Sequence, residues 1–305
     1  MHLLNYDKFD SFVAPAKSPK SGWFLVLGLV LIVIFYLEFM YLIIFLLSLA
    51  IGVGDTLTAK FGWVMRLLAS QDTPLAMVAT LATFIGMAGS VLLTTRVVRE
   101  RSPLGLLGKG PILRNMLISG GILALMLTFS TIMAHLFFDM RPNLPLAVWF
   151  KWLPVALPLL FVQITAEELI FRGFLQQELA ARYSSPKIWL LVPSLVFGAL
   201  HWDTEQFGPN AWLLVVGTTL FGVFAADITA RTGNLGAAIG LHFVNNFFAL
   251  FITAIDGSMT GLGLYLTPFT PDNHAQMRML LLWDIGLVAL AYGVYLAVIR
   301  LKRRR

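Results

Sequence analysis

Ile164-Thr165-Ala166-Glu167-Glu168-Leu169-Ile170-Phe171-Arg172-Gly173 places two adjacent carboxylates and an arginine inside an apolar stretch that begins near Trp152. Ionised groups at membrane depth are costly and rare, so such a cluster defines a candidate site whose partners have to be found. A helix turns each side chain by about 100°, which brings Glu168 and Arg172, four residues apart, to one face where they can pair. Glu167 points elsewhere and is left free for chemistry. Taken alone, the stretch is explained equally well by a structural ion pair beside a second carboxylate in a polar cavity.

The surrounding chain has the composition of a membrane protein. Of its 305 residues, 58% are hydrophobic and 12% charged, and the mean hydropathy is +0.80. These values lie well beyond those of soluble domains and give an all-α, polytopic membrane protein as the expected fold class. The chain has no cysteine, which excludes disulfides, thiolate metal sites and a cysteine nucleophile, and leaves His, Glu, Asp and hydroxyl groups for chemistry. A net charge of +6 would suggest nucleic acid in a soluble chain. Here the basic residues follow the loops, and no nucleic-acid partner is expected. The N-terminal residues 1–22 are polar with three lysines, and the apolar run after them is too long for a signal-peptide core, so no cleaved signal is expected.

Hydropathy predicts about eight transmembrane helices, near 23–53, 75–95, 112–136, 151–182, 186–202, 211–230, 235–255 and 279–300. A mixed linker containing Pro74 joins the first two. Glu38 in the first span is expected to make a structural hydrogen bond. Gly86 and Gly89 in the second suit close helix contact, Pro154 and Pro158 are expected to kink the first turns of the fourth, and Pro186 suits a helix start. With a cytoplasmic N-terminus the inner loops collect 16 of the 22 Lys and Arg residues and the outer loops 5, with Arg172 inside the membrane. That asymmetry supports both termini being cytoplasmic. The expected organisation is a cytoplasmic segment at 1–22, a single transmembrane domain at 23–300 with a motif-bearing core at about 151–255, and a basic tail at 301–305 that anchors to anionic lipid. The location expected is a bacterial inner (cytoplasmic) membrane.

Two further polar stretches stand out. Phe197-Gly198-Ala199-Leu200-His201 closes the fifth span, and His242-Phe243-Val244-Asn245-Asn246 lies in the seventh. Helical spacing puts Phe197 with His201, and His242 with Asn246, on shared faces. Counted from the inner ends at 1.5 Å per residue, Glu167 and His201 lie roughly 21 to 22 Å deep and Asn246 about 17 Å, with His242 one turn shallower. The three spans are therefore compatible with one polar layer. Outside this set, Trp202-Asp203-Thr204-Glu205 is expected to cap the end of the fifth helix and border the outer mouth, and Asp227 to pair with Arg231 at a helix end. Arg114 and Asp284 have no assigned partner, and His2, His135 and His274 fall outside the motifs.

Glu167-Glu168-x-x-x-Arg172, Phe197-x-x-x-His201 and His242-x-x-x-Asn246, in that order on separate spans, resemble the three motifs of the type II CAAX prenyl endopeptidase and bacteriocin-processing family, also called CPBP or Abi. Ras and a-factor converting enzyme is its eukaryotic member. The resemblance covers roughly Leu153 to Leu250. It implies an intramembrane endopeptidase in which Glu167 activates water together with His201, His242 and Asn246 donate hydrogen bonds to the oxyanion, and Glu168 and Arg172 fix the helix and tune the field around Glu167.

The resemblance also implies lipidated or membrane-anchored peptides as substrates, with membrane lipid as the surrounding partner. No cofactor is expected. The competing chemistry is a zinc held by Glu167, His201 and His242, since two His and one Glu can make a three-ligand catalytic site. The usual His-Glu-x-x-His zinc signature is absent, and the resemblance leaves both chemistries open. Two other readings stand beside the peptidase: a non-catalytic scaffold or bacteriocin immunity protein, and an ion-coupled transporter, for which the expected internal repeats are missing.

Overall fold

The apolar stretches marked by hydropathy fold mainly as helices, the fifth ending at Ala199 and the seventh at Ile252. The structure is a computed structural model and describes residues 6–17 and 22–303, with side chains to residue 301. The helices are α1 (Phe9–Val13), α2 (Trp23–Ile51), α3 (Leu57–Ser70), α4 (Pro74–Val97), α5 (Ile112–Phe137), α6 (Leu146–Glu168), α7 (Gln177–Ala180), α8 (Pro186–Ala199), α9 (Thr204–Phe207), α10 (Ala211–Thr232), α11 (Gly236–Phe247) and α12 (His274–Arg303). Among the described residues, six helical stretches are long and apolar enough to cross a bilayer: Trp23–Ile51, Pro74–Val97, Ile112–Phe137, Leu146–Ala180, Thr204–Thr232 and His274–Leu301. Two shorter apolar helices, Pro186–Ala199 and Gly236–Ile252, fill the expected fifth and seventh positions. At 1.5 Å per residue the first of these is about 21 Å long, short of the roughly 30 Å hydrocarbon core. The chain is an all-α, multi-pass integral membrane protein, and its outward leucines, valines and phenylalanines are the surface that lipid solvates.

The linker expected between the first two spans contains a helix, α3. Its start and that of α4 are set by threonines: Thr56 and Thr73 side chains accept from the amides of Ala59 (3.1 Å) and Ala76 (3.2 Å). Pro74 occupies the first position of α4, where its missing N–H would have no helical partner in any case. Gly86 lets α4 approach α2, since a Cβ there would lie 2.9 Å from Phe39 Cβ. A tighter contact joins α11 to α5. A Cβ on Gly236 would stand 2.1 Å from the Ile112 carbonyl oxygen and one on Gly240 2.2 Å from that of Met116, while the Ser119 hydroxyl donates to Ala237 O at 2.8 Å. Two glycines four residues apart thus dock α11 backbone to backbone on α5.

The N-terminal segment folds back onto the membrane domain. Phe9, Phe12 and Val13 are buried, with the Phe9 ring 4.3 Å from that of Trp189. The Tyr6 hydroxyl donates to Asp227 at 2.7 Å, and burial together with Asp227 pushes its pKa up. Asp227 also pairs with Arg231 (2.5 Å), as the sequence suggests, and accepts from Tyr292 (2.8 Å). Lys8 and Ile299 line one cavity, so both ends of the described chain meet at the same face. On that face Glu178 gathers Arg99 at 2.9 Å, Arg182 at 2.7 Å and Arg101 at 3.4 Å, which ties the α4–α5 connection to α7. Burial lowers the Arg101 guanidinium to about 10. At the opposite face, β1 (Arg141–Pro142), β2 (Thr253–Ala254) and β3 (Tyr265–Leu266) form a small sheet in the order β1-β3-β2, closed by an Arg141–Asp256 ion pair.

Several expectations are corrected. Glu38 is exposed on α2 and has no hydrogen bond among the described residues, because the inner face of that helix is set by Gly28, Ile32 and Ser48. The fourth span starts at Leu146, so Pro154 and Pro158 lie well inside α6 and not in its first turns. Asp203 caps the start of α9, accepting from Gln206 N at 2.9 Å, and does not cap the end of the fifth span. His2 and residues 304–305 of the basic tail lie outside the described residues.

Candidate active site

Glu167 and Glu168 are the last two residues of α6, and from Leu169 to Gln176 the helix is wound as a π-helix. The other motif helix behaves alike: α11 ends at Phe247 and Phe248–Ile252 continue it in π form. Such wide turns cluster where side chains must be aimed, because they shift every following residue around the axis. Gly173 sits inside the first of them, where a Cβ would come 3.1 Å from Leu106 Cβ.

The i,i+4 pairing of Glu168 and Arg172 is present, with Arg172 Nη1 donating to Glu168 Oε1 at 2.9 Å in a fully buried setting. The guanidinium lies 4.8 Å over the Phe197 ring and 5.9 Å from Phe171 and Phe221. Aromatic faces thus supply part of the stabilisation that water would give in solution. Glu168 Oε1 also accepts from His242 Nδ1 at 2.7 Å, a link across two spans that the sequence did not announce. The other nitrogen, His242 Nε2, lies 3.7 Å from Glu167 Oε2. His242 is therefore held between the two carboxylates, with Arg172 behind one of them. Glu167 Oε1 receives Gln163 Nε2 at 3.3 Å, a contact one turn back on α6.

His201 is placed differently from the expectation. The fifth span ends at Ala199, and His201 lies in the turn that follows. Its Nδ1–H donates to the Phe197 carbonyl at 2.8 Å, satisfying one of the carbonyls a helix end leaves open. In the neutral ring this leaves Nε2 as the lone-pair nitrogen. No carboxylate among the described residues comes within ion-pair distance of either ring nitrogen, so Glu167 and His201 are not in direct contact. The two histidines share the Phe197 ring, with centroids 4.8 Å (His201) and 5.9 Å (His242) from it. Asn246 is partly exposed one turn beyond His242 and, among the described residues, accepts only a long 3.4 Å contact from Asn245.

The result is a graded site. Glu168, Arg172 and His242 are buried and mutually bonded, while Glu167, His201 and Asn246 are partly open. Polar groups with no partner among the described residues, Glu168 Oε2 and Arg172 Nη2, lie within the buried part. No three His, Asp or Glu side chains among the described residues gather as a metal-ligand set. No step below runs through a metal.

Residues 147–248, from the start of α6 to the end of α11, match the family model described as type II CAAX prenyl endopeptidase Rce1-like. This segment carries all seven motif residues, and the resemblance read from them holds over it. The chain is also similar to the uncharacterized protein YyaK of Bacillus subtilis (strain 168), 35% identical over 106 residues that cover 34% of this chain and 36% of that protein. The aligned region thus spans about a third of either chain. No solved structure matches.

Proposed function

We propose that this protein is an intramembrane endopeptidase of the CAAX-protease type, hydrolysing a peptide bond in a lipidated or membrane-associated peptide with Glu167 as the base. The observation that carries the proposal is the Glu167–His242–Glu168–Arg172 chain, in which one carboxylate is left partly open while the other is committed to holding a histidine. A structural ion pair would need only Glu168 and Arg172.

Glu167 takes a proton from water as the water oxygen attacks the scissile carbonyl carbon. The negative charge that develops on the carbonyl oxygen is met by N–H donors, for which the Asn246 amide and the His242 ring stand on the same helix face. Since the Nδ1 hydrogen of His242 is engaged by Glu168, Nε2 donates only from the doubly protonated ring. Glu168 acts as a positioning residue: it fixes the ring's orientation, and Arg172 balances its charge. When the C–N bond breaks, Glu167 returns the proton to the leaving amine, which restores the carboxylate and completes hydrolysis. His201, with Nδ1 held by Phe197 O, presents Nε2 as an acceptor for the same water. The bacterial inner membrane remains the proposed location.

The test is cleavage of a library of prenylated C-terminal peptides and membrane-anchored peptides by the purified protein in lipid bilayers, read by mass spectrometry in 18O-labelled water. One labelled oxygen in the new carboxyl terminus is expected. Absence of cleavage across both peptide classes by protein whose fold is intact would favour the non-catalytic scaffold.

A further inference from the structure

Arg114 stands at the start of α5, and neither the fold nor the candidate site uses it. It lines a cavity of about 250 Å³ at the face where the chain ends meet, with Lys8, Asn115, Arg231, Tyr295 and Ile299 among the other walls. Arg231 is matched by Asp227, but Lys8 and Arg114 have no ion-pair partner among the described residues, and no Asp or Glu lines the cavity. Tyr295 on α12 is fully buried, and its hydroxyl has no hydrogen-bond partner among the described residues. A buried hydroxyl without a partner calls for an explanation. Two unmatched cations and this unpaired hydroxyl on the walls of one cavity fit an anion with several acceptor oxygens.

The cavity continues into a second, open cleft of about 670 Å³ that shares Pro111, Arg114 and Ile118 with it and is otherwise apolar. Leu113, Leu117, Gly121 and Leu125 follow at four-residue spacing along one side of α5. The three leucines are 62%, 62% and 76% exposed, and a Cβ at Gly121 would meet nothing within 4 Å. Twelve residues of helix give this lane a length of about 18 Å, beginning at the charged cavity and running into the membrane. A phosphate pocket opening onto a lipid-facing apolar lane has the two-part chemistry of a phospholipid. Free phosphate would account for the pocket but not for the lane. Basic cavities between membrane helices on the cytoplasmic side are a known setting for anionic headgroups.

The geometry points to a binding site for one anionic phospholipid of the leaflet on the side of the chain ends, its phosphate held by Lys8, Arg114 and the Tyr295 hydroxyl and one acyl chain lying along Leu113, Leu117, Gly121 and Leu125. Occupancy couples the residue before α1 with α5, α10 and α12, the elements that meet at this cavity.

The test uses the full-length protein, delipidated in detergent and titrated with phosphatidylglycerol or phosphatidylcholine, with bound lipid counted by native mass spectrometry. Wild type is expected to retain one phosphatidylglycerol at least tenfold more tightly than phosphatidylcholine. Lys8→Gln combined with Arg114→Gln should abolish that preference, whereas Arg114→Lys should keep it. Tyr295→Phe should weaken phosphatidylglycerol binding about threefold while leaving the lipid-free protein's melting temperature unchanged or higher, an opposition of signs that a purely structural hydroxyl would not give. Millimolar inorganic phosphate should not displace the lipid. Equal retention of the two lipids, retention by the double variant, or displacement by free phosphate would each overturn the proposal.

Discussion

Replacing Arg172 by methionine tests the buried framework of the site. The substitution keeps much of the apolar volume against Phe197 but strips Glu168, which is fully buried, of its cationic partner at 2.9 Å. His242 at 2.7 Å is then the single group left to balance that carboxylate. Removing one member of a buried pair leaves an uncompensated charge and destabilises by about 3–5 kcal/mol. The loss of the guanidinium over the Phe197 ring adds roughly 0.5–2 kcal/mol. At about 2–4 °C per kcal/mol, the melting temperature should fall by on the order of 10 °C or more. The assay is a tryptophan-fluorescence melt of purified protein in detergent, for which the chain's 8 tryptophans are the reporters. Glu168→Gln added to Arg172→Met removes both charges and keeps a polar partner for His242, so more than half of the loss should return. A single variant melting within about 2 °C of wild type, or a double variant no more stable than the single, would refute the reasoning that these two residues are coupled.

Gly240→Ala forces a Cβ to within 2.2 Å of the Met116 carbonyl and should lower stability by about 1–3 kcal/mol, with peptide cleavage falling further because His242 lies two residues on. Gly121→Ala, whose Cβ meets nothing, should melt within about 0.5 kcal/mol of wild type. Tyr6→Phe removes the hydrogen bond to Asp227 and should weaken docking of the N-terminal segment by about 1 kcal/mol, seen as faster proteolysis before Trp23. Because folding raises the Tyr6 pKa above its ordinary value of 10.0, the folded state holds this proton more tightly. Its stabilisation is present in full below that value and is lost as pH climbs above it, so wild type should show this loss and Tyr6→Phe should not. Glu178→Gln leaves Arg99, Arg101 and Arg182 without their shared carboxylate, and the melting temperature should fall by an amount similar to that for Arg172→Met.

The spans were legible because hydropathy in a bilayer depends on local composition, and Glu168–Arg172 was legible because helical spacing alone dictates an i,i+4 pair. The link from Glu168 to His242 was not. It joins residues on α6 and α11, and its closeness follows from how Gly236 and Gly240 seat α11 on α5. The glycine pair itself was visible as Gly236-x-x-x-Gly240 and could have signalled a tight contact. Gln163 lies four residues before Glu167, at the spacing of a helix-face pair, but an uncharged amide in an apolar run does not single itself out in the sequence. The π-wound segments after Glu168 and Phe247 left no mark in the sequence, because the same residues would continue an ordinary α-helix and the winding depends on packing. α3 reads as a linker in the sequence because its apolar residues are interspersed with Lys60 and Arg66. His201 was placed inside the fifth helix by the hydropathy of Leu200 and Trp202, whereas the helix ends at Ala199 and the imidazole closes it.

The account rests on Glu167 delivering water, and the most direct measurement compares peptide cleavage by wild type and Glu167→Gln in the same lipid bilayers, with melting curves to confirm equal folding. Removing a general base should lower kcat by about 10²–10⁴-fold with the melting temperature unchanged. Cleavage by the folded Glu167→Gln protein at a rate within about threefold of wild type would contradict it.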